Sequence, residues 1–237
     1  MIEQDFAEYT FGPDFHWLWI AVVVELWVIG VLILRCSKME RMESTKRLYL
    51  GYGTFMIAFS ISRVLNYIAN FYRDMGFAET DASFLIPKRA TYFIGLLSLA
   101  FLVYGFERYF TKKTKGLVSL IPAIVAVLSL FLPYDIAKLV NYISTPIALL
   151  VILFVYAYMI KIGVGYLRKQ AVYSLLGLFL LFLGTAFDST LIRDYFSTVD
   201  AALVPNILGP VLSMVGLLIF YATIHVSMRK KEEIQEI

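Results

Sequence analysis

Seven long apolar stretches, separated by short charged loops, make up nearly all of this 237-residue chain. They run approximately over 15–35, 47–71, 89–109, 116–133, 141–161, 171–192 and 203–227. A helix needs about 20 residues to cross a hydrocarbon core of about 30 Å, and most of the stretches reach that length. The fourth is the weakest, because Pro122 and Pro133 bracket it. The expected fold is an all-α membrane protein, a single seven-transmembrane helix bundle over 1–237. At 60% hydrophobic the chain lies well above the roughly 45–50% of soluble domains. The lipid bilayer is therefore its first partner, and the net charge of +3 carries no argument for nucleic acid.

The placement of the charges matters more. With the N-terminus outside, fifteen of the twenty-one Lys and Arg fall on the cytoplasmic side. The outer loops then hold five basic residues against ten acidic ones, and Arg63 lies inside a helix. Lys and Arg in short loops set orientation, so the N-terminus is expected outside and the C-terminus in the cytoplasm. The acidic start (Glu3, Asp5, Glu8, Asp14) lacks the basic region of a cleavable signal. A single cysteine and the absence of any N-x-[ST] acceptor fit a prokaryotic inner or plasma membrane. After the seventh stretch only about nine residues remain, so an attached output domain is not expected.

Ionisable and polar groups inside such stretches are costly and mark candidate sites. Glu25 sits mid-helix in VVVELWV, as a proton carrier, a cation ligand, or a neutral acid donating a hydrogen bond to a neighbouring helix. On the second helix Tyr52, Met56, Phe59, Arg63, Asn66, Tyr67 and Asn70 share an arc of about 100°. Arg63 cannot shed its charge; Asp188 in the sixth helix is the expected partner, with Glu25 competing. Asn206, Gly209, Pro210 and Ser213 form a polar, small-residue stripe on the seventh helix. Together with Tyr92, the residues Glu25, Arg63, Asn66, Tyr67, Asp188 and Asn206 outline an expected outer-half site for a ligand or for ion coupling.

At the inner end of the third helix, Glu107-Arg108-Tyr109 resembles the acidic-Arg-Tyr triplet of rhodopsin-class G-protein-coupled receptors. The seventh helix has no N-P-x-x-Y, however, and the paired outer cysteines are missing. Glu107 and Arg108 are therefore taken as interfacial charge that a cytoplasmic partner could read. Seven helices with this topology also resemble microbial rhodopsins, which need a lysine midway along helix seven; none is there, so retinal is not expected. His16 and His225 fall at opposite faces and Cys36 is alone, so no zinc site, catalytic group or other cofactor is expected.

The expected function is a receptor-like sensor that binds a small molecule in its outer half and signals through a separate cytoplasmic or membrane partner. A small transporter or proton-coupled carrier built on Glu25, Arg63 and Asp188 is the alternative. A structural subunit of a membrane complex is the second alternative. Polar groups cluster in the outer halves while the inner halves are apolar, which puts the sensor ahead of a transport path.

Overall fold

The computed structural model describes the backbone of residues 6–11, 16–110, 116–198 and 203–235. Within these, the side chains of 7, 8, 108–110, 190, 191, 194, 197 and 227–235 lie outside the description. The described chain is helical throughout, without strands. Its elements are α1 (Phe6–Phe11), α2 (Trp17–Met39), α3 (Glu43–Asp74), α4 (Ala82–Phe110), α5 (Leu117–Phe131), α6 (Tyr134–Ile162), α7 (Tyr166–Ala186), α8 (Thr190–Thr198) and α9 (Leu203–Gln235).

All seven apolar stretches become helices, but only six are long and apolar enough to cross a membrane by length and composition: α2, α3, α4, α6, α7 and α9. The fourth stretch forms α5, which is 15 residues long. A helix of that length measures about 22 Å, short of the ~30 Å hydrocarbon core. Six apolar helices fit a multi-pass integral membrane protein.

Several boundaries differ from those expected. The third helix begins at Ala82 rather than 89, so Pro87 lies inside it. The Asp81 carbonyl accepts from Phe84 and Leu85 N–H, and its carboxylate accepts from Ala78 N–H, so the helix starts here. The fifth begins at Tyr134 rather than 141, directly after Pro133, whose carbonyl accepts from Ala137 N–H. The sixth ends at Ala186 instead of continuing to 192; a turn over 187–189 separates it from α8. In each case the helix follows backbone hydrogen bonding, which is indifferent to where the apolar run stops.

The chain groups into two compact units, one of residues 26–155 and one of residues 1–25 with 156–237. Within 26–155, α3 and α4 are antiparallel and nearly touch at Gly51 and Gly105. A Cβ added to Gly51 would stand 2.8 Å from the Gly105 Cα. Gly30 of α2 meets Gly53 of α3 in the same way. Within the other unit α7 and α9 are antiparallel, with Gly177 against Gly216 and Gly184 against Gly209. A Cβ on Gly216 would come 2.5 Å from the Gly177 carbonyl oxygen and 2.6 Å from the Leu181 nitrogen. In lipid no hydrophobic force drives helices together, so small residues that admit close backbone packing set which helices pair.

α5 is short yet runs along most of α4. At one end Glu107 of α4 accepts hydrogen bonds from Gly116, Val118 and Ser119 N–H at 2.8, 3.3 and 3.1 Å. At the other, Arg89 of α4 donates to the Leu130 carbonyl at 2.8 Å. Ser119, Pro122, Ala126 and Ser129 are the buried face of α5; Leu120, Ile121, Ile124, Val127 and Phe131 are exposed, as lipid contact requires.

Candidate functional site

In the unit 26–155 the polar face of α3 meets α4 at the end nearer Asp74 and Ala82. Ser62 donates to the Thr91 carbonyl at 3.0 Å, and Thr91 donates to the Pro87 carbonyl at 2.9 Å. One turn further along α3, Asn66 accepts from the Lys88 ammonium at 2.7 Å. Both residues are buried, each with 5% exposure. Burying a lysine is expensive, so its ammonium needs polar partners such as this amide oxygen.

Arg63 is half-buried and lies one turn from Asn66 on α3; Tyr67 is half-buried beside them. Tyr92 is buried one turn beyond Lys88 on α4, its ring stacked 6.3 Å from that of Tyr134 at the start of α6. Phe84 packs edge-on against the same Tyr134 ring at 5.9 Å, and the Lys138 ammonium lies over it at 5.9 Å. Lys138 in turn reaches Glu79 at 3.9 Å. Arg63, Asn66, Tyr67 and Tyr92 thus belong to one unit, and the structure adds Lys88 to them.

A helix that starts at 89 leaves Lys88 in an outer loop, which is why sequence reasoning misses it. With the helix starting at Ala82, Lys88 and Tyr92 are four residues apart on one face. The signal is that i,i+4 spacing, and it is readable only once Pro87 is accepted inside a helix.

The unit of 1–25 with 156–237 holds Glu25, Asp188 and Asn206. Asp188 stands in the turn after α7, and its Oδ1 lies 3.4 Å from Arg193 Nε on α8. Arg193 also donates to Asn206 Oδ1 at 2.7 Å, in the first turns of α9. The two charged side chains are 10% and 4% exposed, so this is a buried pair that ties α7, α8 and α9 together. Within this unit Asp188 thus meets a guanidinium five residues along the chain. That contact depends on the turn at 187–189, which a continuous helix to 192 hides. Nearby His16 stacks on Tyr9 at 4.2 Å, and Trp19 packs against Gly209. Glu25 is half-buried on α2, and its buried Oε1 accepts no hydrogen bond among the described residues.

Glu107 is 6% exposed and binds the N-terminus of α5 with both oxygens. Helix N-termini present unsatisfied N–H groups and a positive dipole end, both of which favour a carboxylate. The expected cytoplasmic contact surface therefore meets a side chain already committed within the fold. The Arg108 side chain lies outside the described residues. Among the described residues no three His, Cys, Asp or Glu gather as a metal ion would need.

This arrangement can recognise and hold a polar group, and it can fix helix ends. Compared with family models, curated proteins and solved structures, the chain matches none.

Proposed function

We propose that this protein is a receptor-like sensor with seven membrane crossings, N-terminus outside and C-terminus in the cytoplasm of a prokaryote. It binds a small molecule between the outer ends of α3 and α4 and signals through a separate partner at the basic inner loops, without catalysing a reaction. The seventh crossing is α5. Its two ends are held by Glu107 and Arg89, which are 18 residues apart on α4 and so about 27 Å apart along it. If α5 did not cross, Lys161, Arg168, Lys169 and the Arg229-Lys230-Lys231 run would all move outside, against the bias of Lys and Arg toward the cytoplasm.

The observation that carries the sensor reading is the contrast between the two ends of the α3–α4 pair. From Gly51 and Gly105 to Ser62 and Gly95 the helices are in close contact. Beyond that, Asn66, Lys88, Arg63 and Tyr92 provide the polar groups. A ligand admitted from outside would meet them and find no polar continuation inward between these helices. Binding there would change how the outer ends of α3 and α4 sit, and the loop 40–42 between α2 and α3 would relay it.

One observation favours a carrier: the Glu25 carboxylate, mid-helix with a buried oxygen lacking a hydrogen bond among the described residues. Both readings are tested with the full chain in liposomes containing a pH-sensitive dye, under an imposed proton gradient and membrane potential. The sensor reading expects flux no greater than in empty liposomes. Proton flux that Glu25→Gln abolishes would replace it with the carrier.

A further inference from the structure

The exposed faces of α2 and α3 change character at one end of the unit 26–155. At 100° per residue, Trp27, Val28, Val31, Arg35 and Lys38 share an arc of about 100° on α2, and all are exposed. On α3, Val64, Ile61, Leu50, Arg47 and Lys46 form a matching exposed arc. Along each stripe, apolar side chains that hydrocarbon covers in a spanning helix give way to cations without a change of face.

Arg41 is exposed in the link 40–42 that joins the two helices. Arg35 is four residues from the end of α2 and Arg47 four from the start of α3. Measured along the helices, all these cations therefore lie within about 6 Å of the link. Between 35 and 47 only Glu40 and Glu43 oppose them, which leaves three positive charges in excess. Glu40 accepts from Met42 N–H, and Glu43 meets Arg47 at 2.9 Å.

The level of the cations selects their occupant. Where a lipid-facing stripe turns from apolar to basic, hydrocarbon ends and headgroup phosphates begin. Met39 and Met42 are exposed among the cations, and apolar side chains mixed with Lys and Arg suit the boundary between acyl chains and headgroups. A soluble acidic protein would match the charge but leave the apolar continuation of both stripes unexplained.

We propose that Arg35, Lys38, Arg41, Lys46 and Arg47 form a binding surface for the headgroups of anionic phospholipids in the bilayer around the protein. The inference stands on exposure, helical phase and charge. It is independent of the sensor reading and leaves a signalling partner to the other inner loops.

The test titrates the full chain in dodecyl maltoside micelles with phosphatidylglycerol, or with phosphatidylcholine of the same acyl chains, and native mass spectrometry reads the lipid retained. Phosphatidylglycerol should be preferred. The preference should fall roughly fivefold for each cation removed, the loss expected for one Lys or Arg beside an anionic surface. Arg35→Gln with Lys38→Gln probes α2, and Arg41→Gln with Lys46→Gln probes the link and α3. Arg35→Lys with Lys38→Arg keeps the charge and should keep the preference. Where a paired variant does not fold, its single substitutions take its place. Equal retention of the two lipids overturns the proposal, as does a preference undiminished in the Gln variants. Poly-glutamate that binds the chain in phosphatidylcholine nanodiscs and is lost in the same variants, without any preference for phosphatidylglycerol, would give the surface to an acidic protein instead.

Discussion

Glu107→Ala should detach the beginning of α5 from α4. The carboxylate accepts from Gly116 at 2.8 Å and Ser119 at 3.1 Å, with a weaker third contact from Val118 at 3.3 Å. A hydrogen bond to a charged group contributes about 1.5–3 kcal/mol, and removing a helix N-cap costs about 0.5–2 kcal/mol. The bonds share one carboxylate and are not additive, and removing it also relieves its own desolvation. The expected net loss is about 2–3 kcal/mol. Glu107→Gln keeps one accepting oxygen and should lose about half as much. Stability is read by reversible unfolding in mixed dodecyl maltoside and SDS micelles, followed by far-ultraviolet circular dichroism. A local readout accompanies it: alkylation of Ser119→Cys in a Cys36→Ser background, slow when α5 is docked because position 119 is buried, and faster with Glu107→Ala. A loss below about 0.5 kcal/mol, within the scatter of ordinary surface substitutions, would refute the claim that this carboxylate anchors α5. Equal losses for Ala and Gln would show that a neutral amide oxygen is no substitute and that the anchoring depends wholly on the carboxylate.

Other parts of the molecule give three more expected outcomes. Gly216→Ala places a methyl 2.5 Å from the Gly177 carbonyl oxygen, so α7 and α9 must move apart; a loss of about 1–3 kcal/mol is expected, measured by the same unfolding assay, while Ala222→Ser on the exposed side of α9 should be near neutral. Asp188→Asn or Arg193→Gln alone breaks a buried pair and should cost about 3–5 kcal/mol; the double substitution should recover much of it in a double-mutant cycle, and simple additivity would show that the 3.4 Å pair is not coupled. If α5 crosses, Lys112→Cys and Pro133→Cys in the Cys36→Ser background will react with a membrane-impermeant maleimide from opposite sides of intact cells; labelling from one side would remove the seventh crossing.

Hydropathy makes the helices legible because each is long and apolar enough to stand out, and the shortness of the fourth is legible too, although Pro122 lies inside its 15 helical residues and does not bound them. The helix ends are not legible. Hydropathy measures side-chain transfer, whereas a helix continues while its backbone is hydrogen-bonded, so α4 begins five residues before Pro87 and takes in Lys88. α6 likewise takes in Asp135 and Lys138. The candidate site is legible by half. Helical phase gathers Arg63, Asn66 and Tyr67 on α3, because phase depends only on spacing within one element. Lys88 needs the correct start of α4, and Arg193 needs a turn at 187–189, where Phe187, Asp188 and Ser189 supply neither Gly nor Pro as a signal.

The pairing of helices is written in the sequence in a form that hydropathy does not read. Gly177 and Gly184 are seven residues apart, as are Gly209 and Gly216, and the structure sets them against each other in reverse order. Seven residues are close to two turns, so each pair lies on one face of its helix, and the equal spacing lets both glycine contacts form at once in the antiparallel pair. The α3–α4 pair uses the same principle with one glycine contact at Gly51 and Gly105, and there the matching stops short of the other end. Toward that end Ser62, Asn66 and Lys88 make hydrogen bonds across the interface instead. Close backbone packing needs no particular chemistry beyond small side chains, whereas a buried lysine with an asparagine partner is costly and adds little packing. Cohesion of this pair is thus supplied by glycine contact at one end and by buried hydrogen bonds at the other.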